Sequence, residues 1–345
     1  MNVHESEQLR TALVAKGFLE TKDINLAEII IFNTCCIRDT AEQKIISHIG
    51  EVGHIKRKNP DILLIIIGCL SAKGEKSLRQ KFPFIDLILG TNKNSELVEY
   101  LTQESIEIKS GVGHNIIITH GCENFCSYCI VPYVRGKEFS RDIDDIIQEF
   151  LDIKIKDNNK TIFLLGQNVN SYRCPKTSTD FVGLLDKLCA IDGDFTLNFL
   201  SSHPKDFSLG LIDCIARNKN IERNIHLPIQ SGCDKILRLM NRNYTVQEYI
   251  NKVNLLREKI PEIHITTDII CGFPSETECD FQETIATVKK IQFNAAFIFP
   301  YSKRSGTKAA ELDGQLDSKT KKARATELIN IQREISNSLD FKGAK

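Results

Sequence analysis

Two apolar rhythms alternate along the chain. Short unbroken apolar runs at residues 28–33 (Glu-Ile-Ile-Ile-Phe-Asn) and 62–67 have the length of a buried strand. Longer stretches between them space apolar residues at helical intervals, as with Leu9, Leu13 and Val14 in residues 4–16. The first third thus predicts helices over 4–16, 40–58, 72–81 and 95–103, and strands over 28–33, 62–67 and 86–89. Residues 105–113 form a linker rich in turn residues, after which the alternation resumes in longer units. Strands are predicted at 115–119, 161–165, 196–200, 224–227, 264–270 and 295–299, with helices at 142–156, 180–191, 207–217, 233–240, 246–260, 278–291 and 318–339. Strand–helix alternation specifies an α/β fold: an N-terminal open parallel α/β domain over 1–104, then a second α/β body over 114–345. Six βα units are too few to close an eight-stranded barrel.

Composition narrows the class. With 345 residues, 41% hydrophobic and 26% charged, the chain has ample core for two or three domains. No run approaches the ~20 apolar residues that span a bilayer, and the N-terminus lacks a signal-like apolar core. Twelve cysteines without an export signal imply a reducing cytoplasm. Forty-five basic and 45 acidic residues cancel, so a nucleic-acid partner would have to meet local patches. Arg135 and Lys137 form one such patch, and Lys303, Arg304 and Lys308 sit in a basic loop that reads as solvated.

The densest chemistry is at residues 115–141, where Cys122, Cys126 and Cys129 stand in a C-x3-C-x2-C spacing after a β-rich run. Three thiolates so placed can hold three corners of a [4Fe-4S] cluster and leave one iron open. Zinc is the alternative, with His120 as a fourth ligand, although structural zinc sites are closed by four ligands. Phe125 and Tyr128, between the cysteines, are expected to shield the site. Other polar groups fall at predicted strand C-termini, the edge where α/β sheets bind ligands. Gly166 permits close backbone approach, and Gln167 and Asn168 offer amides. Ser202 and His203 follow the third strand of the second body, and Gln230 and Asp268 fall on its inner rim. Asp268, beside apolar Ile269 and Ile270, needs a partner. Glu138 and Arg141 pair with each other or meet a ligand. In the first domain Cys35 and Cys69 end successive strands; they are either two packed thiols or ligands meeting at one sheet edge. Cys174, Cys189, Cys214, Cys233, Cys271 and Cys279 have no metal-type spacing and read as packing residues.

The cysteine triad, with Tyr128 just before its last member, resembles the signature of the radical S-adenosylmethionine (SAM) superfamily. The string continues through Ile-Val-Pro-Tyr-Val-Arg-Gly to Ser140-Arg141 and is joined in order by Asn33-Thr34-Cys35, Gly68-Cys69, Ser202-His203-Pro204, the run from His226 to Gly232, Met240-Asn241-Arg242 and the run from Thr267 to Pro274. This ordered set is similar to the methylthiotransferase branch. Gly-Gln-Asn-Val-Asn-Ser-Tyr from Gly166 to Tyr172 resembles its MiaB-type subgroup, the tRNA 2-methylthioadenosine synthases.

The resemblance implies a partial (β/α)6 radical SAM barrel. It implies a first [4Fe-4S] cluster on Cys122, Cys126 and Cys129, with SAM on the open iron and Gly166, Gln167, Asn168, Ser202, Gln230 and Asp268 as cofactor contacts, Asp268 toward the ribose. Cys35 and Cys69 match two of three ligands for a second, auxiliary [4Fe-4S] cluster. The third lies in a Gly-Cys-Gln-Met-Asn string that the opening Met1-Asn2 would continue, so the ligand set is expected to be incomplete as written; Cys36 is a poor substitute, since adjacent cysteines rarely both face one metal. The family's small RNA-binding TRAM domain is expected to be missing after the last helix. The implied reaction is methylthiolation of N6-isopentenyladenosine at position 37 of tRNA, consuming two SAM, with a flavodoxin-type electron donor and a cytoplasmic monomer. Rival readings are threonylcarbamoyl-adenosine in tRNA, a ribosomal-protein aspartate, or a non-catalytic remnant that binds tRNA or a partner.

Overall fold

The strand predicted at 62–67 is apolar at every position, and it becomes the centre of a sheet. The computed structural model describes residues 2–34, 39–102, 114–156 and 160–343. They divide into two units, Met1–Asn115 with Ile130–Lys137, and Ile116–Cys129 with Glu138–Lys345.

The first unit contains α1 (Asn2–Ala15), β1 (Ile29–Thr34), α2 (Asp39–Lys58), β2 (Leu63–Gly68), α3 (Cys69–Lys81), β3 (Leu87–Leu89), α4 (Asn94–Thr102) and the short α5 (Val131–Arg135). Its three strands are parallel in the order β1-β2-β3. Alternate residues of a strand face opposite sides. Leu64 and Ile66 therefore pack with Ile49, Val52 and Leu78, while Ile65 and Ile67 pack with Leu9, Leu97 and Val98. β2 runs straight into α3 through Gly68, whose φ of 97° is left-handed and whose missing Cβ would lie 2.5 Å from the Thr34 carbonyl. Thr34 Oγ1 donates to the Ile67 carbonyl at 2.6 Å and accepts the Leu70 N–H at 3.2 Å, fixing Cys69 at the helix start. Arg135 is buried, its Nη1 2.9 Å from Glu5 and its Nη2 3.0 Å from the Asn2 amide oxygen. Its place in a phosphate-binding patch is thereby corrected: a buried guanidinium stays with its protein partners.

The second unit contains β4 (Asn115–Ile117), β5 (Thr119–His120), β6 (Phe139–Ser140), α6 (Ile143–Lys156), β7 (Lys160–Leu165), α7 (Phe181–Cys189), β8 (Phe195–Phe199), α8 (Leu209–Arg217), β9 (Asn224–His226), α9 (Asp234–Leu239), α10 (Val246–Lys259), β10 (His264–Cys271), α11 (Glu278–Ile291), β11 (Ala295–Pro300), α12 (Lys308–Glu311) and α13 (Ser318–Gly343). Strands β4-β7-β8 and β9-β10-β11 form two sheets, joined by a parallel bridge from Leu197 to Ile221. The six strands thus follow one another in chain order around an open arc, a partial (β/α)6 barrel. The single strand predicted over 115–119 divides instead: β5 turns aside to pair antiparallel with β6, His120 opposite Phe139. Along β10 burial alternates, with Ile265, Thr267, Ile269 and Cys271 buried and Thr266, Asp268 and Ile270 less so. The buried isoleucines join the helix-packed core, and Thr266 and Asp268 take the opposite face.

Helix α13 braces the rim. Arg324, buried on α13, donates to Glu276 Oε1 at 2.8 Å and to its carbonyl at 3.0 Å, and Glu276 Oε1 accepts the Gly272 N–H at 2.8 Å. Burial raises the Glu276 carboxyl, opposed by the Gly272 N–H and by Arg324. Arg324→Met leaves that carboxylate buried and unpaired, so urea denaturation near pH 7 should show a loss of about 3–5 kcal/mol. Without Arg324 the folded-state carboxyl rises further above its unfolded value. Stability of the variant therefore recovers as pH falls and is lost as pH rises through the folded pKa; a deficit that does not shrink by pH 5 would contradict this role.

Candidate active site

The cysteine loop leaves β5 and is held by the segment that ends α9. Ser127 N–H donates to the Met240 carbonyl at 2.9 Å, and Ser127 Oγ to the Leu239 carbonyl at 2.8 Å. Asn241 Nδ2 donates to the carbonyls of Asn124 and Phe125, both at 3.0 Å. Asn241 and Phe125 are left-handed, with φ of 56° and 45°. Asparagine tolerates that conformation, but for phenylalanine it is strained and persists because the bonds from Asn241 hold the loop. The Cys129 N–H closes a turn on the Cys126 carbonyl at 2.9 Å. Cys126 is buried, while Cys122 and Cys129 are partly exposed. Burial pushes the Cys122 thiol up, as do the Cys126 sulfur and the Glu138 carboxylate, against hydrogen bonds from Asn124. Tyr128 packs on Ile236, Met240 and Phe273, whereas the Phe125 ring is 42% exposed, so the expected shielding falls to Tyr128.

Two donors converge on Cys126. Arg242 Nη1 lies 3.4 Å from its sulfur, and His203 Nε2 lies at 4.0 Å. His203 Nδ1 accepts the Lys205 N–H at 3.2 Å, so the neutral ring carries its proton on Nε2, toward the sulfur. Burial, then the charges of Arg242, Lys205 and Lys252, hold His203 down at about 2, and it stays neutral. A cationic donor and a neutral N–H thus point at one sulfur. Among the described residues no three His, Cys, Asp or Glu side chains are close enough to share a single metal ion. In a cubane each thiolate binds a different iron, so its ligands stand farther apart than those of one ion. The chemistry of the donor set, its apolar backing and the paired donors on Cys126 fit a cluster.

The strand ends supply the rest. Gly166 follows β7, and a Cβ there would lie 2.1 Å from Thr119 Oγ1. Gln167 is partly buried beside it. Asn168 is buried, and its Nδ2 donates to Asp206 at 2.7 Å. Past β8, Ser201 is left-handed at φ 69°, and Asn170 Oδ1 accepts the His203 N–H at 2.9 Å. Ser202 Oγ, Thr119 Oγ1, Asn168 Oδ1 and Asn170 Nδ2 are buried without a hydrogen-bond partner among the described residues. Each such atom costs about 1–3 kcal/mol unless a ligand or water meets it. A polar cofactor such as SAM fits these atoms. Gln230, left-handed at φ 71°, bridges to β10: its N–H donates to the Asp268 carbonyl and its carbonyl accepts the Ile270 N–H, both at 2.9 Å.

Some expectations change here. Asp268 finds a partner within the protein, since its Oδ2 lies 3.3 Å from His226 Nε2, while His226 Nδ1 meets Thr266 Oγ1 at 3.0 Å. Arg141 pairs with Glu149 at 2.6 Å, while burial raises the Glu138 carboxyl and Ser171 hydrogen-bonds it. Arg304 is buried, so the loop of Lys303, Arg304 and Lys308 is not wholly solvated. Cys279 is exposed, unlike the packed Cys174, Cys214, Cys233 and Cys271. In the first unit Cys69 is fully buried against Ile130 and Val134, and Cys35 and Cys36 lie outside the described residues. Arg242 and His226 went unassigned by sequence reasoning. The one signal for Arg242 was its place in Met-Asn-Arg, directly after a predicted helix.

Comparison with known proteins agrees with this geometry. Residues 116–288 match the Radical SAM superfamily and residues 1–90 the Uncharacterized protein family UPF0004. The fold is similar to that of the radical S-adenosylmethionine methyltransferase TsrM from Kitasatospora setae, with a TM-score of 0.66 at 14% identity over 88% of this chain and 73% of that one. The arc and its cysteine loop thus define a radical SAM protein, whose fold carries [4Fe-4S] and SAM. The chain is 42% identical over 355 residues to the tRNA-2-methylthio-N(6)-dimethylallyladenosine synthase of Thermodesulfovibrio yellowstonii, covering 97% of this chain and 81% of that protein. It is 41% identical over 364 residues to the synthase of the same name from Carboxydothermus hydrogenoformans, covering 99% and 82%. The chain belongs to the tRNA-2-methylthio-N(6)-dimethylallyladenosine synthase family.

The contact at Gly166 gives a paired test. Gly166→Ala drives a methyl into Thr119 Oγ1 and should weaken SAM binding about tenfold in equilibrium dialysis of reconstituted protein. Adding Thr119→Ala opens that space and should restore most of the loss. Additive losses in the double variant would show that the contact is not what Gly166 protects.

Proposed function

We propose that this chain methylthiolates N6-isopentenyladenosine (dimethylallyladenosine) at position 37 of tRNA. The reading is carried by 42% identity to a synthase of that name over nearly the whole chain, and supported by the held cysteine loop at the rim of the arc. Cys122, Cys126 and Cys129 hold the first cluster, and Cys35 and Cys69 serve the auxiliary one. When bound, the open-iron cluster supplies the electron that cleaves SAM, giving radical chemistry at an adenine carbon that is not nucleophilic.

The chain's own side chains bind, orient and exclude water. Arg242 and His203 direct their N–H groups at the Cys126 sulfur and orient it. Ser202, Asn168 and Asn170 offer unpartnered polar atoms to SAM, and Gly166, having no Cβ, lets Thr119 Oγ1 pack against the end of β7 beside them. Asp268 and His226, one-third and one-fifth exposed, take the ribose or the nucleoside as a hydrogen-bonding pair. A flavodoxin-type donor supplies the electron. No helix among the described residues is long and apolar enough to cross a membrane. A tRNA substrate supports a cytoplasmic location.

The test uses full-length protein reconstituted anaerobically with iron and sulfide, reduced, and given SAM and tRNA carrying N6-isopentenyladenosine. Digested nucleosides should contain the 2-methylthio derivative by mass spectrometry, and the reaction should release 5′-deoxyadenosine. Cys126→Ala should lose about four irons per chain and both products. Unchanged iron in that variant would remove the first cluster from these cysteines. Release of 5′-deoxyadenosine with no modified nucleoside would leave the radical site standing and reject the substrate.

A further inference from the structure

Arg242 is 6% exposed, and each of its three nitrogens donates one hydrogen bond. Nε donates to the Tyr244 hydroxyl at 3.0 Å, Nη2 to the Pro228 carbonyl at 3.0 Å, and Nη1 to Cys126 Sγ at 3.4 Å. Its guanidinium carbon lies 5.2 Å from the Tyr244 ring centre, and the Tyr244 hydroxyl donates to the Ile229 carbonyl at 2.7 Å. Among the described residues no carboxylate pairs with Arg242. Elsewhere in this unit a buried arginine has its carboxylate, as Arg324 has Glu276. A buried cation needs an anion, and the one atom within reach that can carry a full negative charge as a metal ligand is the Cys126 sulfur.

We propose that Arg242 is the counter-ion of the SAM-binding cluster, a positioning residue that makes the cluster easier to reduce. This rests on the assignment of Cys126 as a cluster ligand. On taking one electron from a low-potential donor the cluster gains one negative charge and no bond is made or broken. A fixed positive charge beside a ligand sulfur stabilises the reduced state more than the oxidised one, and little solvent screens it at a buried site. The fork geometry adds direction. Tyr244 and the Pro228 carbonyl hold the guanidinium plane, so Nη1 stays on the sulfur without a carboxylate to anchor it. Lysine carries the same charge on a flexible stem without that fork.

The test is a redox titration of full-length reconstituted protein with dithionite and mediators, followed by electron paramagnetic resonance. Only the signal that changes on adding SAM is scored, after subtraction of a Cys126→Ala sample, which removes any auxiliary-cluster contribution. Arg242→Gln should keep its iron while its reduced-to-oxidised ratio at fixed potential falls about tenfold, ~59 mV for a one-electron couple. Arg242→Lys should recover at least half of that shift, because charge is the operative property. Tyr244→Phe should shift the ratio in the same direction by about twofold, since the guanidinium loses one restraint. Where Arg242→Gln fails to retain iron, Arg242→Lys and Tyr244→Phe decide the matter. Potentials equal to the unsubstituted protein's in the variants that hold iron, or an Arg242→Lys value no better than Arg242→Gln, would overturn the proposal. Absence of any SAM-responsive signal in the unsubstituted protein would instead reject the cluster assignment beneath it.

Discussion

A buried guanidinium that answers a sulfur, not a carboxylate, is the constraint around which the radical unit is built. Arg242 has to be surrounded by acceptors because it is out of water, and the surrounding groups come from three places in the chain: the cysteine loop, the end of β9 and Tyr244. The loop carries backbone N–H and carbonyl groups of its own that must find partners. Asn241 and Met240 meet them and Leu239 accepts the Ser127 hydroxyl, so one tripeptide and its preceding residue hold the loop and present the charge. The position after the segment is fixed as well. Thr245 and Glu248 form a reciprocal cap that starts α10 at a set residue, and this holds Arg242 in register with Cys126.

The remaining rim follows a common device. Ser201, Gln230 and Gly272 each stand near the end of a strand with φ close to 70°. A left-handed residue turns the chain sharply, and for serine and glutamine it does so at a conformational cost. The turn at Ser201 precedes Ser202, whose hydroxyl is left without a partner, and the turn at Gln230 leaves its backbone bonded to β10. Strain and unsatisfied polar atoms thus lie together at one rim of the arc, which is where stability is conceded to binding.

The sequence made the regular elements legible and the side-chain pairings illegible, for physical reasons. β2 could be read because an unbroken run of Leu and Ile buries on both faces, and α10 and α11 because apolar spacing and Thr caps coincide. The cysteine triad was readable because its ligands sit within one loop. The β5–β6 pairing was not, since strands of two residues have no period to detect. Nor does Val131-Pro132-Tyr133-Val134 announce that it clusters with the N-terminal residues, because an apolar run looks the same whichever core it joins. Asp268 was seen to need a partner, but His226 lies 42 positions away and only the register of β9 on β10 brings them together. Arg242 looked like any charge in a polar stretch; its burial depends on a loop 116 residues earlier.

That separation has a consequence for how the protein comes to be made. Neighbouring strands of the arc are neighbours in the chain from β7 onward, so βα units can add one after another as they leave the ribosome, each closing a short loop. The cysteine loop emerges early, yet its clamp is supplied only when Leu239 to Arg242 arrive, 112 to 117 residues later. Until then its thiols are on an untethered segment with no cation beside them. Iron and sulfide meet a finished seat only late in synthesis, after most of the arc exists to enclose it, and maturation of the protein therefore runs in a fixed temporal order that the strand sequence itself imposes.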